Sequence, residues 1–282
     1  MRRTSALADE FAENRAVGRI AFSAQQKAGT TRQARLFEEG PLRLRCPNSL
    51  AGALEAMIVN TAGGVAGGDS LQLHLSVDEN ARLTVTTAAA EKIYRSLGAD
   101  AVIDVYLKVE SGAALAWLPQ ETILFDRARL RRTIRIDVAQ DAQLVFAETV
   151  VFGRTGRGEE VAHGRLIDRW HLYCEGRLLH AESLRLDGAI AEKLAHRAVT
   201  GGNVAIATVL IYPGDEMIAE ALRVQKFCGE VGLSAWKGMA IARLCARDGA
   251  TLKRDLIALL GNPDFAAAQS GLRVALPRLW AS

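Results

Sequence analysis

The chain of 282 residues has only four cysteines, Cys46, Cys174, Cys228 and Cys245, and none stands in C-x-x-C spacing. That excludes a thioredoxin-type motif and argues against a structural zinc site, leaving buried free thiols as the reading. No uninterrupted apolar run reaches the ~18 residues that a membrane-spanning helix needs. Met1-Arg2-Arg3 leads into Leu7 to Arg15, a stretch too acidic for the apolar core of a signal peptide. A cytoplasmic protein is expected. The net charge is only +3, with no basic run and no aromatic-basic stripe, so neither nucleic acid nor a membrane is an expected partner. Also missing are G-x-S-x-G, H-E-x-x-H, S-x-x-K and an acidic pair at helical spacing. Five histidines can always supply a base, so they discriminate nothing. Nothing in the chain asks for an enzyme.

What is present is ordinary in bulk: 49% hydrophobic residues, and length enough for one large domain or two modest ones with a real core. The stretch from Val59 to Ser96 is not ordinary. Gly63, Gly64, Gly67 and Gly68 run into Asp69. Glycines this dense mark positive φ or close approach to another backbone. A phosphate loop is excluded, because such a loop ends in Gly-Lys-Ser/Thr and opens a helix. Here Asp69 follows, then the alternating run Leu71, Leu73, Leu75, Val77, which reads as a half-buried strand. A polar turn, Asp78 to Ala81, leads to a second strand, Leu83 to Thr87, and to the polar cluster Glu91, Lys92, Tyr94, Arg95.

That unit repeats. Val77-x3-Ala81-x-Leu83 recurs as Val109-x3-Ala113-x-Leu115 and as Val138-x3-Ala142-x-Leu144, with the leucines 32 and 29 residues apart. An alternating strand precedes each turn. Such a period signals stacked units burying a shared core, here mainly β, in a stacked β-helix-like strand–turn–strand arrangement or a sandwich. Equivalent positions then lie near one another, so Thr86, Glu121 and Glu148, with Asp69 and Glu91, are expected to line one region. Acids gathered in an apolar stack need partners, water or a cation.

Before the repeat, strands are expected at Gly18 to Phe22, Thr31 to Phe37, Pro41 to Arg45 and Leu54 to Val59. After it, Gly153 to Glu160 is a loop, and Leu166 to Leu186 is a hairpin about Glu175-Gly176. If Cys174 pairs with Arg177, His171 faces His180 and Arg169 faces Glu182. Such a histidine pair is either a metal-like spacing or a half-exposed polar pair beside an Arg169–Glu182 salt bridge. Asn203 to Tyr212 is an apolar strand. Asp215 then caps a helix running to Gly229, residues 239–246 read ambiguously, with Met239, Ile241, Arg243 and Cys245 also fitting a strand, and Thr251 to Leu260 is a helix. The expected organisation is a flexible arm over residues 1–17 and one domain over 18–282. That domain is β-rich over 18–212, with a small helical part over 213–282.

Four ordered motifs resemble the UreD (UreH) family of urease accessory proteins. They are Asn60 to Asp69, with the glycines Gly63, Gly64, Gly67 and Gly68; Thr86 to Ser96, with Lys92 and Tyr94; Trp117 to Asp126, with Pro119, Gln120, Glu121 and Asp126; and Phe152 to Arg154, with Gly153, followed by Gly158-Glu159. The ending Pro277-Arg278-Leu279-Trp280 is also similar. The resemblance implies a β-helix-like fold and a non-catalytic role: binding the urease apoprotein and UreF, reaching the GTPase UreG through UreF, and assisting nickel delivery to urease. It implies transient Ni²⁺ passage and no tightly bound cofactor. A conduit must admit the ion and release it, so sparse carboxylates and hydroxyls suit it better than a closed cysteine–histidine cage. The expected lining is Asp69, Thr86, Thr87, Glu91, Glu148 and Glu182, with His171 and His180 as weaker candidates. The alternative is a carbohydrate-active hydrolase or lyase in a β-helix cleft, which needs an aromatic-lined groove and paired carboxylates; aromatics are only 6%.

Overall fold

A computed structural model describes residues 15–47, 53–262 and 276–280. Most of the expected arm, residues 1–14, lies outside the described residues, and Val17 already belongs to the first strand. In chain order, β1 (Val17–Lys27) and β2 (Thr30–Glu39) form a hairpin, followed by β3 (Leu42–Arg45) and β4 (Leu54–Asn60). Three coils come next. The first is β5 (Ser70–Val77), β6 (Arg82–Thr87) and β7 (Glu91–Ile93); the second is β8 (Ala101–Val109), β9 (Ala114–Trp117) and β10 (Thr122–Leu124); the third is β11 (Arg129–Val138) and β12 (Gln143–Phe152). The chain finishes with the hairpin β13 (His163–Cys174) and β14 (Arg177–Ala189), then α1 (Ile190–Ala195), β15 (Ala205–Tyr212), α2 (Glu216–Arg223), β16 (Glu230–Trp236), β17 (Met239–Ala246) and α3 (Gly249–Leu260).

The spacings of the sequence repeat are the coil lengths. Val77 pairs with Val109 and Val109 with Val138, in parallel. Leu83 pairs with Leu115 and Leu115 with Leu144, also in parallel. Each coil thus gives one strand to each of two sheets. The first runs β14-β13-β11-β8-β5-β1-β2 and the second β16-β17-β15-β12-β9-β6-β4-β3, with β7 and β10 pairing alongside β12. Stacking of coils makes the ladder parallel, and the antiparallel pairs β1–β2, β13–β14 and β15–β17 close its two ends.

Alternation decides what lies between the sheets. Ile103, Val105, Leu107 and Val109 from one sheet meet Leu83, Val85, Leu115, Leu144 and Phe146 from the other in a single buried cluster. Each such side chain contributes about 1.5–3 kcal/mol by leaving water. The outer face of the second sheet is covered as well: Leu252, Leu256 and Leu259 of α3 pack with Val145, Val209 and Leu244. Asp215 and Asp248 N-cap α2 and α3 by accepting from Ile218 N and Thr251 N. The expected continuation of α2 to Gly229 does not form, because the Cys228 and Gly229 amides donate to buried Asp255 of α3 at 2.8 and 2.7 Å. Strand β16 and the short α1 were not foreseen.

Candidate interior acidic site

The inner face of the third coil carries a charge where the first two carry hydrocarbon. Leu71 pairs with Ile103, Ile103 with Arg132, and Arg132 with Asp168. Arg132 is therefore aimed into the core with 5% exposure. Its Nε and Nη2 donate to Asp168 at 3.0 and 2.5 Å, and its Nη1 donates to Glu148 Oε2 and, at 3.3 Å, to Thr122 Oγ1. Each acid also accepts from a tryptophan: Trp117 Nε1 donates to Glu148 Oε1, the oxygen Arg132 leaves open, at 2.8 Å, and Trp170 Nε1 donates at 3.0 Å to Asp168 Oδ1, which it shares with Arg132 Nε. Phe146 meets Trp170 edge to face at 4.9 Å and seals the cluster on the apolar side.

One guanidinium thus faces two buried carboxylates. Burial alone lowers the proton affinity of Arg132, but the Asp168 and Glu148 charges outweigh it and keep the group firmly protonated. Burial raises the Glu148 carboxyl above the ordinary range; Arg132 opposes that and the Asp168 charge reinforces it. With both acids ionised the cluster carries an excess negative charge inside the protein, which a proton or a cation relieves.

The cluster is not sealed towards β14. A small cavity of about 30 Å³ lies among Arg132, Glu148, Asp168, Trp170, Glu182 and Thr208, space for about two waters. It shares Glu182, Leu184, Ile206 and Thr208 with a cleft of about 570 Å³ at the β14–β16 end. Glu148 pairs with Thr208 and Thr208 with Arg243, so these three form a row across the inner face of the second sheet. Arg243 closes the row by donating to Glu182 at 3.0 Å, and His180 Nε2 lies 3.3 Å from the same carboxylate. Burial pushes the Glu182 carboxyl up, but the His180 and Arg243 bonds win and hold it below the ordinary value.

Of the expected lining, only Glu148 and Glu182 share this cavity. Asp69 is a backbone cap, accepting from Ala16 N at 2.9 Å and Ala66 N at 2.7 Å. Thr86 is fully buried on the side of β6 opposite Leu83 and Val85, where it pairs with Met57 of β4. Thr87 Oγ1 donates to Ala89 O and accepts from Gln120 N. Glu91 is held by Asn60 Nδ2 at 3.1 and 3.2 Å, and burial raises its carboxyl to about 7. Glu121 supplies its carbonyl to Glu91 N. The single acidic region expected from the repeat does not form, because the coils diverge past Trp117: β12 runs straight to Phe152 where β9 breaks.

The hairpin also differs from expectation. Cys174 does pair with Arg177, but Leu179 bulges out of the register, so Leu172 pairs with His180 and His171 with Ala181. One extra residue sends the two histidines to opposite faces. His180 stays inside beside Glu182, with Trp236 5.8 Å away, and His171 faces outward by Tyr173. Arg169 pairs with Ser183, not Glu182. Among the described residues, no three His, Cys, Asp or Glu side chains gather at metal-binding distances.

The glycine cluster packs against the corner of the coils. A Cβ on Gly64, where φ is +156°, would lie 2.4 Å from Tyr94, and one on Gly67 would lie 2.1 Å from Ser96 Oγ. Tyr94 OH donates to Gly63 O, Gly68 N to Asp100 O, and Lys92 O accepts from Val65 N. Tyr94 then stacks edge to face on Phe125 at 5.2 Å, and Phe125 carries the Arg154 guanidinium at 4.3 Å. Arg154 is fixed by Glu159, Gly153 N donates to Leu124 O, and Asp126 accepts from His163 N. Beside Pro119, Gln120 binds Leu279 O and Lys253 Nζ, docking the C-terminal Pro277–Trp280 turn. These motifs hold coil corners together.

Comparison with known proteins follows the same motifs. Residues 15–281 match the family described as UreD urease accessory protein. A urease accessory protein UreD of Rhodopseudomonas palustris strain BisA53 is 53% identical over 272 residues, covering 96% of this chain and 92% of that one. Urease accessory protein UreD 3 of Bradyrhizobium sp. strain BTAi1 is 50% identical over 278 residues, covering 98% and 97%.

Proposed function

Since the chain belongs to the UreD family of urease accessory proteins, we propose that it is a scaffold of urease maturation whose interior passes Ni²⁺ towards the enzyme. It binds the urease apoprotein and UreF, and reaches the GTPase UreG through UreF. The observation that carries the nickel reading is the row of polar side chains, Glu182, Arg243 and Thr208, that leads from the wall of the cleft to the small cavity at the Glu148–Arg132–Asp168 cluster. Its carboxylates are few: Glu148 and Asp168 share Arg132, and Glu182 is countered by Arg243. A divalent ion is drawn in by the excess negative charge and is nowhere caged, as passage requires. The hydrolase alternative has no support in the path: its two buried acids are locked on one guanidinium.

The test uses cells that produce urease subunits and the other accessory proteins, with wild type, with no copy of this chain, or with Glu182→Gln. Omission abolishes urease activity. Glu182→Gln lowers urease nickel content and activity while the variant still pulls down UreF and urease. Full activation by Glu182→Gln removes the path; full activation without the chain removes the scaffold.

A further inference from the structure

Arg132 holds its two acids unequally. Nε and Nη2 lie side-on against Asp168 at 3.0 and 2.5 Å, the bidentate geometry that anchors an arginine most firmly. Glu148 takes only Nη1, and that nitrogen has a second acceptor in Thr122 Oγ1 at 3.3 Å. Arg132 can therefore release Glu148 and keep three of its four donated bonds. Glu148 is also the acid that stands in the row with Thr208 and Arg243. An ion arriving from the cleft thus meets the weaker leg of the cluster first. Charge decides how long it stays. One guanidinium and two carboxylates leave a net charge of −1, and the neighbouring Glu182–Arg243 pair is neutral. A divalent ion takes the cluster from −1 to +1, so the empty and loaded states carry charge of the same size. Without the guanidinium the same two acids would go from −2 to zero, and a water-poor interior strongly favours the neutral state.

We propose that Arg132 is a tethered counter-ion that keeps this site from trapping its cargo. It yields Glu148 to a passing Ni²⁺, stays anchored on Asp168, and drives the ion out by reclaiming Glu148. The proposal rests on the nickel-passage reading above and adds to it what sets the residence time. Arg132 never touches the ion, so it is a positioning residue acting through Glu148. The Trp117 and Trp170 indoles hold both carboxylates in place while the guanidinium shifts. The cavity of about 30 Å³ bounded by Glu148, Asp168, Glu182 and Thr208 gives the ion its standing room.

The experiment measures Ni²⁺ binding to the purified full chain by equilibrium dialysis, and Tm with and without Ni²⁺. Wild type is compared with Arg132→Gln, Arg132→Met, Arg132→Lys and the double variant Arg132→Gln/Glu148→Gln. Arg135→Met, on the exposed side of the same strand, is the control. Glutamine still donates to the acids without carrying charge, so Arg132→Gln decides the comparison if the methionine variant does not fold. The expected result is that Arg132→Gln holds about one Ni²⁺ per chain at least about tenfold more tightly than wild type. Ni²⁺ then raises the Tm of Arg132→Gln and leaves that of wild type unchanged. Arg132→Lys, which keeps the charge, and Arg135→Met bind nickel as wild type does, and adding Glu148→Gln abolishes the gain. In cells, Arg132→Gln lowers urease activation and retains nickel on itself while still pulling down UreF and urease. Wild-type nickel affinity in Arg132→Gln overturns the proposal, and so does a gain that survives Glu148→Gln or is shared by Arg132→Lys. A lower Tm in Arg132→Gln with no response to Ni²⁺ leaves Arg132 a purely structural residue and also overturns it. If Arg132→Gln traps nickel but omitting the whole chain leaves urease activation intact, the counter-ion stands and the maturation reading fails.

Discussion

Replacing Arg132 by methionine tests whether the interior charges are held as described. The substitution keeps volume and removes four donated bonds: two to Asp168, one to Glu148 and one to Thr122. Glu148 and Asp168 are left side by side, each with one indole donor, at 5% and 3% exposure. Removing one partner of a buried ion pair costs about 3–5 kcal/mol. A second route gives a similar figure: keeping a carboxylic acid of ordinary acidity neutral at pH 7 costs roughly 4 kcal/mol at 1.36 kcal/mol per pH unit. Because Glu148 is already raised by burial, one such cost and not two is expected. In the variant the acids bind protons more tightly folded than unfolded, so its stability is best at low pH and is lost as pH rises. The deficit therefore grows by roughly 1.4 kcal/mol per pH unit between about pH 5 and pH 7. Urea titrations followed by tryptophan fluorescence measure it, since Trp117 and Trp170 report directly on the cluster. Adding Glu148→Gln and Asp168→Leu to Arg132→Met recovers most of the loss. A deficit under about 1 kcal/mol that does not change with pH would refute the buried triad.

Glu91→Gln keeps the Asn60 bond without titrating. The wild-type carboxyl, raised from 4.5 to about 7, favours the fold below the lower value and loses that advantage as pH passes the upper one. The variant therefore gains about 2–3 kcal/mol over wild type between pH 5 and pH 8, read by urea midpoints. Gly64→Ala, which sets a Cβ against Tyr94 at positive φ, costs about 1–3 kcal/mol in thermal melts. Its cost is smaller in a Tyr94→Ala background; equal costs would deny the contact. Gln120→Ala removes the side-chain bonds to the Leu279 carbonyl and to Lys253, so limited proteolysis should clip the C-terminal end faster while stability falls by only about 1 kcal/mol.

The coil architecture was legible because the repeat spacing is itself the parallel register, and Val77, Val109 and Val138 stand in one line. Arg132 and Asp168 were missed because Arg129 to Asp137 reads locally as a charged solvated strand. The same repeat held the signal: the 32- and 29-residue steps that carry Leu71 to Ile103 carry Ile103 to Arg132, a cation in an apolar column. The histidine pairing failed on one bulged residue at Leu179, which no local pattern announces. Asp69, Thr86 and Thr87 sit in motifs whose residues serve turns and corners, and sequence alone does not separate a capping acid from a lining one.

The coil is also a unit of length. Every coil adds one strand spacing, about 4.8 Å, along the stack, so the separation between the β2–β3 end and the β14–β16 end is set by a whole number of coils. A duplicated or deleted coil of 32 residues, matching the step from Leu83 to Leu115, would change the reach of the protein by one such increment and leave the side chains at both ends untouched. A protein built this way has its span written in its repeat count, and features at its opposite ends are spaced by integers.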